Sequence, residues 1–171
     1  MRLIGLSGHA LAGKDTTAMM LSNLIKDRPV VRIAFADALK NECLALHGWN
    51  GQKDDAGRTL LQRVGVARRE ENPNYWVDRA MASVTDPETL YVFTDVRFPN
   101  EADAIRANGG RMWRIERINE DGSPFDNGMT LEQKAHVSET ALDDYACDDY
   151  LFNDTLAKLG RQVAHLAGEL E

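Results

Sequence analysis

Seven residues near the start of this chain, Gly8-His9-Ala10-Leu11-Ala12-Gly13-Lys14, constrain its fold more than any other feature. They follow an apolar run, Leu3-Ile4-Gly5-Leu6-Ser7, that reads as a buried strand. They precede Thr17, Met20, Leu21, Leu24 and Ile25, which repeat at helical spacing up to Asp27-Arg28-Pro29. Strand, glycine loop and helix in that order make an anion cradle. The loop turns amide N–H groups inward, the helix N-terminus adds partial positive charge, and Lys14 reaches the β- and γ-phosphates of a nucleotide. Gly8 and Gly13 frame the loop. The residue after the lysine is Asp15 rather than the usual Ser or Thr. Asp15 is either a first-turn carboxylate favoured by the helix dipole or a group that approaches metal or substrate. Thr16 or Thr17 then takes the contact with phosphate or Mg2+, and Thr16 is the candidate metal ligand. His9 reads as a solvent-facing loop residue.

The rest of the chain repeats the alternation. Val30 to Phe35 predicts a second strand, and Ala38, Leu39, Cys43, Leu44 and Leu46 a helix that stops at Gly48. Helical patterns over Gly57 to Arg69 and after Pro73 make an all-helical insertion of about residues 41–86. Strands follow at Leu90 to Thr94, Met112 to Ile115 and Tyr150 to Phe152, with helices over Pro99 to Ala107 and Thr155 to Leu170. A polar, turn-rich loop at Gly122 to Gly128 lies within a short lid of about residues 117–137. This order predicts one α/β domain over 1–171, in three layers around a five-stranded parallel sheet, with ligands beyond the carboxyl ends of the strands.

Composition narrows the function classes. A hydrophobic share of 43% over 171 residues suits a globular core, and a net charge of −7 argues against a nucleic-acid polymer as partner. The first apolar run is too short for a signal peptide or a membrane span, so a cytoplasmic location without membrane attachment is expected. Cys43 and Cys147 lack metal-site spacing and read as reduced, structural residues. Met112-Trp113 and the C-terminal helix are candidates for a homodimer interface, and burial within one chain explains them as well.

The strand-end rule selects further residues. Asp95 and Arg97 emerge where the third strand ends, so Asp95 serves either the metal or the acceptor, and Arg97 a phosphate. Glu101 belongs to that site or is an ordinary first-turn acid. Phe35, Asp37 and Lys40 offer a ring, a carboxylate and an ammonium at the second strand's end, where a nucleoside can stack; alternatively Asp37 caps the next helix. Arg58, Arg63, Arg68 and Arg69 include candidate holders of an acceptor phosphate, and Trp76 is a base platform or core. Arg111, Arg114 and Arg117 precede the lid, and one of them, Arg117 in the first place, is a candidate to stabilise the transition state. Ser138 is a candidate helix cap.

Several blocks together resemble the bacteriophage-type deoxynucleoside monophosphate kinases. They are Leu3 to Gly8 through Gly13-Lys14-Asp15-Thr16-Thr17-Ala18, Arg58 to Gly65 with Leu61-Gln62, Tyr75-Trp76-Val77, Thr94-Asp95-Val96-Arg97, His136-Val137-Ser138-Glu139 and Phe152-Asn153-Asp154. The resemblance implies an adenylate-kinase-like core, ATP and Mg2+ as co-substrates, and a deoxynucleoside monophosphate as acceptor, converted to the diphosphate. It implies a phosphate site of Gly13, Lys14, Asp15, Thr16 and Thr17, and an acceptor site along Arg58, Gly65, Trp76, Asp95, Arg97 and Glu101. It brings Asn153 toward the adenine. The segment between Lys40 and Arg58 is shorter than in some members. Dephospho-coenzyme A kinase, or a nucleotide-dependent switch, is the alternative reading.

Overall fold

The computed structural model describes residues 3–52 and 54–170; Met1, Arg2, Lys53 and Glu171 lie outside the described residues. The chain divides into two compact units, Met1–Arg32 with Asp86–Glu171, and Ile33–Thr85. The second starts earlier than the insertion of about 41–86 expected from the sequence.

In the first unit the elements are β1 (Leu3–Ser7), α1 (Lys14–Leu24), β3 (Leu90–Phe93), α5 (Pro99–Ala107), β4 (Arg111–Arg117), two single-turn helices α6 (Leu131–Lys134) and α7 (Val137–Thr140), β5 (Asp149–Asn153) and α8 (Leu156–Gly168). β2 (Val30–Ile33) ends where the chain passes into the second unit, which holds α2 (Phe35–Leu46), α3 (Asp55–Glu71) and α4 (Tyr75–Met81). The five strands form an all-parallel sheet in the order β2-β3-β1-β4-β5. β1 is central, with Ile4 opposite Val92 of β3 and Gly5 opposite Met112 of β4. Parallel strands buried on both faces read as continuous apolar runs, which is why Leu3-Ile4-Gly5-Leu6 and Leu90-Tyr91-Val92-Phe93 lack polar alternation.

Two layers of helix cover the sheet. On one face Ile4, Leu6, Trp113, Ile115 and Leu151 pack with Leu21 of α1 and with Leu159, Val163 and Leu166 of α8. Those α8 residues recur at three- and four-residue intervals, and the helix starts where the Thr155 side chain accepts from the Lys158 N–H. On the other face α5 approaches β1 so closely that a Cβ on Gly5 would lie 2.4 Å from Met112 Sδ and 2.8 Å from Ile105 Cδ1.

Several expectations are corrected. The second strand stops at Ile33, and Phe35 is the first residue of α2. Asp37 therefore lies inside the first turn instead of capping it; the cap position is Ala34, and Asp37 pairs with Lys40 Nζ at 2.6 Å. β4 extends to both sides of Met112–Ile115, its start held by Arg111, which reaches Asp149 at 2.7 Å and Glu169 at 3.3 Å. α6 folds where the sequence suggested only loop, and His136 rather than Ser138 caps α7, its Nδ1 accepting from the Ser138 N–H. Met112 and Trp113 are fully buried in the core, so this pair is no surface for a second copy.

The second unit is organised around a carboxylate. Cys43, Trp49, Val64 and Trp76 form its apolar cluster. Beside it the Glu42 side chain, 1% exposed, accepts from Arg68 Nε at 2.8 Å and from the Tyr75 hydroxyl at 2.6 Å, with Arg79 at 3.6 Å. One acid thus ties α2, α3 and α4 together. Burial pushes the Glu42 carboxyl up, but the Tyr75 and Arg68 hydrogen bonds and the two arginine charges outweigh it and hold the carboxyl below its ordinary 4.5. A group depressed in this way contributes stability that is complete above the unfolded-state value and is lost as pH falls through the folded one. Glu42→Ala is expected to cost about 2–3 kcal/mol, less than the ~3–5 kcal/mol for breaking a fully buried pair, because both arginines keep access to water. Urea unfolding at pH 7 and pH 4 checks this: the deficit should shrink at the lower pH.

Candidate functional site

The phosphate loop leaves the carboxyl end of β1, where the sheet order passes from β3 on one side to β4 on the other, the switch point at which α/β sheets bind ligands. Its two glycines are fixed by what approaches them. Gly8 has φ +135°, and a Cβ there would sit 2.2 Å from the Ile115 carbonyl oxygen; Gly13 has φ +111°, and a Cβ there would sit 2.6 Å from Asn153 Nδ2. Asn153, the last residue of β5, donates that Nδ2 to the Ala12 carbonyl at 2.8 Å. Arg117, the last residue of β4, donates to the Leu11 carbonyl at 3.2 Å, and Leu11 itself takes φ +64° with its side chain exposed.

Lys14 opens α1 and folds back over the loop, its Nζ donating to the carbonyls of Gly8 at 2.6 Å and His9 at 2.9 Å. Burial, then the Arg97 charge, lowers its pKa to about 8, against the opposing pull of Glu139, Asp15 and Asp95. Thr17 is fully buried and returns its hydroxyl to the Gly13 carbonyl at 3.1 Å, whereas Thr16 is half-buried in the first turn. Asp15 is a largely exposed first-turn carboxylate, paired with Arg32 Nε at 2.9 Å.

The loop after β3 brings further charges to the same rim. Glu101 is buried, and its Oε2 accepts from the backbone N–H groups of Arg97 at 2.7 Å and Phe98 at 3.1 Å, closing the turn into α5. The Arg97 guanidinium donates to Glu139 Oε1 and to the Ser138 carbonyl, while Glu139 Oε2 accepts from the Ala10 N–H of the phosphate loop at 3.1 Å. Glu139, with its side chain 7% exposed, thus joins α7, the β3 loop and the phosphate loop. The sequence reading assigned it no role; the only signal was its place in the His136–Glu139 block.

Of the three arginines before the lid, only Arg117 reaches the loop. Arg111 is tied to Asp149 and Glu169, and Arg114 is buried against the Leu142 carbonyl at 2.9 Å and Asp143 at 2.8 Å. The Arg117 guanidinium lies 3.8 Å from the centre of the Phe125 ring. It stands between two cavities. One, of about 480 Å³, is lined by Gly13, Lys14, Thr16, Arg117, Asn153 and Thr155. The other, of about 500 Å³, is lined by His9, Ala10, Arg117, Phe125, Asn127 and Glu139. Both fall within the range of small-ligand pockets. His9 is exposed, 3.6 Å from Asp143.

No family model matches the chain. A protein of Acanthamoeba polyphaga mimivirus, named "Putative deoxynucleotide monophosphate kinase", is 30% identical over 151 residues, covering 68% of this chain and 75% of the viral one. The chain belongs to that family of P-loop kinases. An uncharacterised protein of ictalurid herpesvirus 1, ORF77, is 34% identical over 113 residues, but this chain spans only 46% of its length. Among solved structures, the tunicamycin resistance protein of Deinococcus radiodurans superposes with a TM-score of 0.54 at 15% identity, over 98% of this chain and 95% of that one. A Chloroflexus aurantiacus protein does so with 0.53 at 13%, over 99% and 95%. These two likenesses concern the fold alone.

The remaining site candidates of this P-loop kinase lie in its second unit. Phe35, Asp37 and Lys40 occupy the first turns of α2. The Gly65 carbonyl receives both Trp76 Nε1 and Arg69 Nη1, each at 3.2 Å, so Gly65, Arg69 and Trp76 meet at one point. Trp76 is buried there, edge-on to Tyr75 with ring centres 4.8 Å apart. Arg58 is exposed, with Asp55 at 4.0 Å.

The depressed Lys14 pKa predicts a pH-dependent affinity for a phosphate bound beside it. A phosphate beside the ammonium favours its charged form, so above pH 8 the complex holds more protons than the free kinase. Affinity for ATP should fall by up to about tenfold per pH unit between pH 8 and 10. Calorimetric titration at pH 8.5 in buffers of different ionisation enthalpy should show proton uptake that disappears in Lys14→Met.

Proposed function

We propose that this kinase transfers the γ-phosphoryl group of ATP to the 5′-phosphate of a deoxynucleoside monophosphate, giving ADP and the diphosphate. The observation that carries this reading is a glycine loop with a half-buried ammonium, Lys14, at the rim shared by Asp95 and Arg97. The name of the mimivirus relative supports the choice of acceptor.

In this reading the cavity between the loop and Thr155 takes the donor nucleotide, with Asn153 toward its base and Gly8, Gly13, Lys14, Asp15, Thr16 and Thr17 around its phosphates. An oxygen of the acceptor phosphate attacks the γ-phosphorus in line, a new P–O bond forms, the bond to the β,γ-bridging oxygen breaks, and ADP leaves with that electron pair. The attacking oxygen is already anionic, so the residues act by placement and charge. Lys14 and Arg97 face the equatorial oxygens, and Arg117 joins them if its guanidinium turns from the Leu11 carbonyl. Asp95 helps to orient the acceptor. Among the described residues no three His, Cys, Asp or Glu side chains cluster as a metal cage. The hard oxygens of Thr16 and Asp95 nevertheless suit Mg2+, which phosphates largely coordinate and which supplies charge neutralisation when bound. The family resemblance assigns Arg58, Gly65, Trp76, Asp95, Arg97 and Glu101 to the acceptor, and the strand-end and charge patterns of the sequence add Phe35, Asp37, Lys40 and Arg69 as candidates.

The test is ADP release with Mg-ATP and dAMP, dGMP, dCMP, dTMP or dephospho-coenzyme A in turn. Turnover with a deoxynucleoside monophosphate is expected, and Lys14→Ala should lower kcat by about a hundredfold or more. Activity confined to dephospho-coenzyme A, or none with any acceptor, would overturn the assignment.

A further inference from the structure

The residue that no functional reading has yet absorbed is Glu139. Buried carboxylates are costly unless they are paired and hydrogen-bonded. Glu139 spends its two oxygens on different elements, one on the Arg97 guanidinium and the other on the Ala10 N–H. Its own helix is a single turn, α7, fixed by the His136 imidazole, which meets both the Ser138 N–H at 3.2 Å and the Ser138 hydroxyl at 2.9 Å. From that turn the Ser138 carbonyl also accepts from Arg97 Nη1 at 3.4 Å. Arg97 is therefore held at both ends, by Glu101 at its backbone N–H and by the Ser138–Glu139 corner at its guanidinium.

We infer that Glu139 is a positioning residue, which fixes the direction of the Arg97 guanidinium and ties it to the phosphate loop so that both address the same phosphoryl group. This rests on the phosphoryl-transfer role proposed for Arg97. An arginine with 39% of its side chain exposed would otherwise sample many rotamers, and the loss would fall on the transition state, where the guanidinium must meet developing charge. A carboxylate suits the task because one charged oxygen holds Arg97 Nη1 while the other accepts from the Ala10 N–H, which ties the arginine to the phosphate loop. Glutamine can still accept at one oxygen, but it lacks the charge and presents an amide N–H to one of two donors.

Three variants test this: Glu139→Gln, Arg97→Lys and the double variant. With the acceptor found active, Glu139→Gln should lower kcat about ten- to hundredfold with both KM values within about threefold of wild type. The double variant should be little worse than Arg97→Lys alone. Nitrogen-15 NMR of arginine side chains, with Arg97 assigned by its loss in Arg97→Lys, gives a readout independent of turnover. Separate, slowly exchanging Nη signals in wild type should merge in Glu139→Gln. Multiplying losses in the double variant, or unchanged Arg97 signals with unchanged kcat, would overturn the inference. If wild type turns over no monophosphate, the proposed function fails while the NMR comparison still decides the role of Glu139.

Discussion

The site depends on how closely two strand ends approach one loop. The Ile115 carbonyl and the Asn153 amide leave no room for a side chain at Gly8 or Gly13, and the Ala12 and Leu11 carbonyls are taken by Asn153 and Arg117. These contacts hold the Leu11 and Ala12 carbonyls against the ends of β4 and β5. A parallel sheet makes this possible because β1, β4 and β5 all end at one rim. Shape and charge at the site therefore share one origin, the strand order.

Charge at that rim is balanced before any nucleotide arrives. Lys14 and Arg97 are near enough that Arg97 lowers the Lys14 pKa, and Glu139 and Asp95 offset part of that repulsion. Two cations held this close are unfavourable in isolation and favourable around a polyphosphate. The acids offset part of that repulsion, and a phosphate beside Lys14 favours its charged form further. Desolvation, the larger cause of the lowered Lys14 pKa, acts in the same direction as Arg97.

The sheet and the phosphate loop were legible in the sequence because they are local. Glycine spacing, apolar runs and helical periodicity each lie within one segment, and only the strand ends moved. Val30 to Phe35 reads as continuous strand, yet the chain turns into helix at Phe35 because Ala36, Ala38 and Leu39 carry the next helical pattern. The roles of the arginines were less legible, since Arg111, Arg114 and Arg117 look alike in sequence and differ only in what lies opposite: Asp149, Asp143 and the phosphate loop. Glu139 was invisible for the same reason. Its partners are Ala10 and Arg97, and no pattern around His136–Glu139 announces contacts with residues so distant in the chain.

The two buried acids of this protein show why burial alone does not identify function. Glu42 is enclosed by Arg68, Tyr75 and Arg79, all within the second unit, and its partners are spent on joining three helices. The Glu139 side chain, 7% exposed, instead engages one N–H of the phosphate loop and Nη1 of Arg97. The difference lies in what each acid joins: Glu42 ties together helices of one unit, and Glu139 ties an arginine to the phosphate loop.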